Sequence, residues 1–213
     1  MTPYIIFRQI TVIGLGLIGS SLVRAVRQHK ISETIIGCDM DAASLVFAIK
    51  ENFIDIAEPS LQKSVVGSDL VIIATPPATL ANIAKAIAPH LKSGAIVMDV
   101  ASVKQPAIEA IAPHLPENVI FIPAHPIAGS EHSGVQSGRG DLFANKRVII
   151  TPPQPPSEVI FKKISEFWEK ICAKIEAMPP TLHDLIYAYV SHLPQLIAFC
   201  LQEPLGKFFT QID

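Results

Sequence analysis

This chain of 213 residues predicts an α/β fold, a doubly wound parallel sheet with helices on both faces. Three observations carry that reading. Short apolar runs of strand type alternate with runs of helical periodicity, each strand run stops at glycine, proline or aspartate, and the first strand enters its helix through Gly14, Gly16 and Gly19. With 49% apolar and 17% charged residues there is ample material for one large core.

The elements follow in order. Residues 10–13 form an apolar strand, and a helix begins near Leu17. Residues 34–38 are β-like and end at Asp39. Residues 70–74 are a buried strand stopped by Thr75-Pro76-Pro77, because proline cannot donate to a ladder. A helix over 79–90 precedes a strand over 95–98 that closes at Asp99, and a second helix over 104–112 precedes a strand over 119–122. The glycine-rich loop from Pro123 to Gly140 is too long to be a mere connector. Strand character returns over 147–151, the prolines at 152–156 mark a boundary, 158–172 is helical, and 173–178 is a last strand. This assigns residues 1–178 to a nucleotide-binding domain and 179–213 to a partial helical dimerisation and substrate segment. That segment is apolar all round, from Leu185 to Leu201, and such a helix must be buried against a partner or further sequence.

The glycine spacing has a mechanical reason. Gly14 permits a tight turn, Gly16 removes a side chain that would hold a pyrophosphate off the backbone, and Gly19 lets the helix pack on the strand. The phosphates then meet the amides at the helix start, which the loop residues Leu15, Leu17 and Ile18 also frame. Asp39, 20 residues beyond Gly19, can bind both hydroxyls of an adenosine ribose, and neither Met40 nor Asp41 offers a cation for a 2′-phosphate. The expected cofactor is therefore NAD, with Thr75 and Pro76 at the next strand end completing its contacts.

Substrate should lie beyond the carboxyl ends of the strands. Two segments fall there. In Asp99–Lys104, Ser102 offers a hydroxyl and could equally cap the next helix. In His125–Gly134, His125 precedes a proline, which biases it to an extended turn facing the cleft, and an imidazole of ordinary pKa near 6.5 suits proton abstraction from a hydroxyl. His29, His90 and His114 stand near helix ends and serve the helix dipole.

Composition excludes other classes. The net charge of −2 gives no footprint for nucleic acid or an anionic membrane, and apolar runs such as 70–74 fall short of the roughly 20 residues that span a bilayer. Cys38, Cys172 and Cys200 lack metal-ligand spacing and read as reduced thiols, so no metal is expected; with no export signal at the start, the expected location is cytoplasmic.

The Gly14–Ser21 fingerprint, Asp99–Lys104, the His125–Gly134 loop and His183-Asp184 followed by Ser191-His192-Leu193-Pro194 together resemble the prephenate dehydrogenase family, which includes cyclohexadienyl and arogenate dehydrogenases. The resemblance implies a Rossmann-type sheet followed by a truncated all-α dimerisation segment, and NAD-linked oxidative decarboxylation of prephenate to 4-hydroxyphenylpyruvate in tyrosine biosynthesis. It implies that His125 accepts the proton of the ring hydroxyl, that Ser102 orients that histidine, and that Ser130, Glu131 and His192 contact prephenate or arogenate. It also implies a homodimer formed through the helical segment. The family continues with a glycine-rich stretch ending in a substrate-binding arginine, whereas no arginine follows Arg147 here and Gln195 stands where a second histidine is usual. An alternative expectation is therefore a truncated, catalytically weak or inactive NAD-binding remnant or regulatory paralogue.

Overall fold

A computed structural model describes residues 5–209, with side chains through residue 201. Its centre is a six-stranded, wholly parallel sheet built from β1 (Phe7–Ile13), β2 (Ser32–Cys38), β3 (Ile56–Ala57), β4 (Leu70–Ile73), β5 (Ile96–Asp99) and β6 (Ile120–Phe121). The strand order β3-β2-β1-β4-β5-β6 reverses direction between β1 and β4, which opens a crevice at their carboxyl ends. Register aligns those ends: Ile13 lies beside Cys38 and Ile73, and Ile73 beside Asp99.

The strands read as unbroken apolar runs because both faces are covered. On one face Val12, Leu70, Ile72 and Met98 pack with Leu22 and Val26 of α1 (Leu17–Gln28) and with Phe167 and Trp168 of α6 (Glu158–Lys170). The alternate residues Ile13, Val71, Ile73 and Val97 face Leu80, Ala84 and Ile87 of α4 (Leu80–Ile87) and Ile111 of α5 (Gln105–Ile111). The edge is completed by α2 (Ala42–Lys50), whose first turn Asp41 caps, and α3 (Leu61–Ser64), capped by Ser60.

The expected alternation gives way at Pro123. Ile122 still donates to Val97 of the large sheet, but Pro123 has no N–H to continue the ladder, and its carbonyl accepts instead from Thr151. The chain turns into a second sheet of β7 (Ala124–Pro126), β8 (Arg147–Ile150) and β9 (Lys174–Ala177), with β7 antiparallel and β9 parallel to β8. His125 is therefore a strand residue opposite Ile149, not part of a loop as its proline neighbour suggested.

After β9, α7 (Pro180–Tyr187), a wider π-type turn (Ala188–His192) and α8 (Leu193–Phe209) run as one helical stretch. His183 and Tyr187 face the α/β body and are buried, while Leu185, Tyr189, Val190, Leu196, Ile197 and Phe199 are all at least half exposed. Nothing in the described residues covers that apolar face. The segment Pro180–Leu201 is 22 residues long and holds an 18-residue window of mean hydropathy 1.2, so by length and composition alone it could cross a bilayer, and the expectation drawn from the short apolar runs does not extend to it.

Candidate active site

The site has two halves. The first is a cavity of about 500 Å³ at the β1/β4 crevice, lined by Gly14, Gly16, Asp39, Met40, Thr75, Pro76, Thr79 and Asn82 among others. Gly14 has φ +90, in the left-handed region, and a Cβ there would stand 2.8 Å from the Ala74 carbonyl oxygen. A Cβ on Gly19 would meet the Gly14 carbonyl oxygen at 1.8 Å, so these two glycines are demanded by the fold itself. Gly16 is different. A Cβ there would meet nothing within 4 Å, and the start of α1 carries no side-chain cap, so the bare backbone and free amides face open space. That is the arrangement a phosphate requires.

Asp39 is held at the lip of the cavity. One carboxylate oxygen accepts from the Leu15 amide at 2.6 Å and the other from the Asp41 amide at 2.9 Å, which aims the group across the cavity mouth. Leu15 is buried beneath the turn, Leu17 and Ile18 are half-buried on α1, and none of the three lines the cavity. Thr75 accepts a hydrogen bond from the Thr79 hydroxyl at 2.8 Å.

The second half surrounds His125. Its Nδ1 lies 2.8 Å from Nε2 of His183, whose own Nδ1 is 2.7 Å from Oδ1 of Asp184. Asp184 also accepts from the Lys104 amide at 2.7 Å and the Gln105 amide at 2.8 Å, and so caps α5 from another helix. The Lys104 ammonium is fully buried; it pairs with Asp99 and donates to the Ala124 carbonyl at 2.7 Å. Lys104 thus joins the carboxyl end of β5 to the strand that carries His125. The Tyr187 ring packs on both imidazoles, with centroids 4.6 Å from His183 and 5.0 Å from His125.

Burial sets the electrostatics. It depresses His125 to a pKa of about 3, with the neighbouring His183, Lys104 and His192 acting in the same direction and Asp184 opposing them. The ordinary imidazole value expected from sequence is corrected accordingly. His183 is lowered mainly by burial, while Asp184 lies below the usual carboxylate range because backbone amides and His183 outweigh its desolvation. Burial pushes Asp99 up and Lys104 down, each opposed by the other's charge.

A pH dependence follows. In the unfolded chain the His125 imidazole titrates near 6.5 and in the folded chain near 3, so within that window the unfolded state holds the extra proton. The stability owed to the neutral ring is complete above 6.5 and lost as pH falls towards 3. Urea unfolding between about pH 7 and 4 is expected to show a steep acid loss that becomes shallower in His125→Asn, and equal slopes would contradict the buried neutral ring.

Other expected site residues are placed differently. Ser102 is exposed and neither caps α5, whose N-cap is Lys104 without a side-chain bond, nor partners His125, whose imidazole bonds to His183. The reason is that Asp184 already occupies the helix start. Ser130 accepts from the His132 amide, Glu131 points to solvent beside His132, and His192 is half-buried on the π-type turn close enough to His125 to lower its pKa. No group of three or more potential metal ligands occurs among the described residues. His183, Asp184, Lys104 and Asp99 carry more of the site than the sequence reading assigned them. The His-Asp pair opening an apolar helix was a visible signal, whereas nothing in the sequence marked Lys104 for burial against Asp99.

Fold and cavity together define a nucleotide-binding α/β domain of the doubly wound class. Residues 22–177 match the family described as prephenate dehydrogenase, nucleotide-binding domain. The chain is 35% identical to the cyclohexadienyl dehydrogenase of Zymomonas mobilis, over 92% of its own length and 67% of that protein, and 32% identical to the prephenate dehydrogenase of Bacillus subtilis, over 88% of its length and 51% of that protein. Among solved structures it superposes on a prephenate dehydrogenase from Aquifex aeolicus in complex with hydroxyphenyl propionate and NAD+, with a TM-score of 0.86 and 30% identity, covering 94% of this chain and 70% of that one. A Synechocystis arogenate dehydrogenase gives a TM-score of 0.79 at 28% identity, covering 92% and 68%. The chain belongs to the prephenate dehydrogenase family. It spans from about half to two thirds of the length of these curated relatives.

Proposed function

We propose that this chain binds NAD in the β1/β4 crevice and carries the proton-accepting half of an oxidative decarboxylation of prephenate to 4-hydroxyphenylpyruvate, in the cytoplasm and as a homodimer joined through the exposed apolar face of α7 and α8. The observation that carries the reaction is the buried His125 imidazole tied through Lys104 to the carboxyl end of β5, the strand paired with β4 of the crevice.

The residues present fit the cofactor. Gly16 and the uncapped α1 amides would receive the pyrophosphate, Asp39 the ribose hydroxyls, and Thr75 and Pro76 the crevice wall. When bound, NAD supplies the acceptor for the hydride that leaves the ring carbon bearing the hydroxyl. His125 takes that hydroxyl's proton at Nε2 as the carbon is oxidised. Loss of the ring carboxylate as CO2 restores aromaticity, and the same imidazole returns the proton to the phenolic oxygen, so no net proton is released. A base of pKa about 3 is weak in the ligand-free site. A substrate bearing two carboxylates brings negative charge to the imidazole and raises its affinity for the proton when it is needed. The three cysteines are free, which accords with a reducing compartment.

Two measurements test this reading. NADH formation with prephenate, and in parallel with arogenate, is expected with the first substrate; NAD binding without turnover on either would instead support a cofactor-binding remnant. Asp39→Ala is expected to narrow the preference for NAD over NADP by roughly tenfold, the worth of a hydrogen bond to a charged group. An unchanged ratio of dissociation constants would remove Asp39 from the ribose.

A further inference from the structure

We propose that His183 and Asp184 are positioning residues that lock His125 in a single tautomer, protonated at Nδ1, and so keep its Nε2 lone pair free for the substrate. The locking is a statement about the chain alone; its bearing on turnover rests on the function proposed above.

Asp184, His183 and His125 form one line of donors and acceptors in which each proton has a single place. Asp184 accepts from the Lys104 and Gln105 amides, and these bonds together with its lowered pKa keep it ionised, so it has no proton to give. His183 Nδ1, 2.7 Å from Oδ1, must then be the donor of that contact. A neutral His183 with its proton on Nδ1 can only accept at Nε2, and the group 2.8 Å from Nε2 is His125 Nδ1. His125 Nδ1 therefore carries the hydrogen. Its Nε2 is left without one, in a ring nine-tenths buried.

The surroundings leave no competing arrangement. The groups packed about the pair are the Lys104 ammonium, whose charge opposes protonation of either ring, the Tyr187 ring, edge-type to His125 and tilted over His183, and His192. The Lys104 ammonium is itself engaged with Asp99 and the Ala124 carbonyl. His183 ties the strand that carries His125 to α7, and Asp184 ties the start of α5 to the same helix, across the expected domain boundary, so the helical segment contributes to the chemistry of a histidine that lies in the α/β portion.

The test is side-chain ¹⁵N NMR of the histidine-labelled 213-residue chain at neutral pH, with His125 assigned by the signals lost in His125→Asn. The expected spectrum has His125 and His183 both carrying hydrogen on Nδ1. In His183→Phe the ring packing is kept and the acceptor lost, and His125 is expected to move towards the Nε2–H tautomer; His183→Gln, which restores an acceptor oxygen, should return it. Parent chain with His125 already protonated at Nε2, or a His183→Phe variant whose His125 tautomer is unmoved, overturns the proposal, and the parent spectrum decides even if a variant fails to fold. In turnover, His183→Phe should lower kcat on the order of 10²-fold or more, as a wrong imidazole tautomer does in other histidine-base enzymes, with NAD binding unchanged and substantial rescue by His183→Gln. Absence of NADH formation in the parent would count against the proposed reaction and would leave the tautomer to be judged by the spectrum.

Discussion

Replacing His125 with asparagine should lower the rate of NADH formation from prephenate by roughly 10²- to 10⁴-fold while leaving NAD affinity nearly intact. The separation of effects follows from placement. His125 sits on β7 in the small sheet, whereas Gly14, Gly16 and Asp39 line the crevice of the large one. Asparagine at 125 can still donate to His183 Nε2 through its amide, so the buried hydrogen bond has a replacement. What it lacks is a nitrogen lone pair to receive the substrate's proton. Turnover that is unchanged in the variant, with NAD dissociation constants also unchanged, would take His125 out of the reaction.

Lys104→Met is expected to destabilise the fold by roughly 3–5 kcal/mol, the cost of removing one member of a buried ion pair. Both side chains are fully buried, and Asp99 has one carboxylate oxygen without a partner even with the lysine present. The ammonium also satisfies the Ala124 carbonyl, so its loss leaves two groups in an apolar setting. Because the penalty comes from the survivor, the double replacement Lys104→Met with Asp99→Leu should recover most of the stability in a denaturant titration. If the single and double variants unfolded at the same midpoint, the destabilisation would have another origin.

The large sheet was legible because its signals are local. Glycine at a left-handed turn, an aspartate ending the next strand and unbroken apolar runs are short-range patterns, and each has a one-to-one counterpart in β1, β2, β4 and β5. The second sheet was not legible, since β7 and β8 are brought together across 20 intervening residues and no local pattern distinguishes a chain that leaves the sheet at Pro123 from one that loops. Ser102 illustrates the same limit. A serine two residues before a helix reads as a cap, but Asp184, 80 residues further along than Lys104, holds that position. His183 and Asp184 could be quoted as a motif, yet their role depends on where α7 lands. Lys104 was hidden for the opposite reason: nothing about a lysine in sequence announces that it will be buried.

The turn at Pro123 divides the machinery between two frameworks that meet through the Lys104 ammonium. On the function proposed above, cofactor choice and proton chemistry are thereby set by residues that share no strand. A protein engineer could therefore redraw the ribose pocket around Asp39 and Met40 for a phosphorylated dinucleotide without disturbing the imidazole. The converse also holds: the small sheet offers a place to graft a different acid or base opposite Ile149 while the phosphate cradle stays as it is.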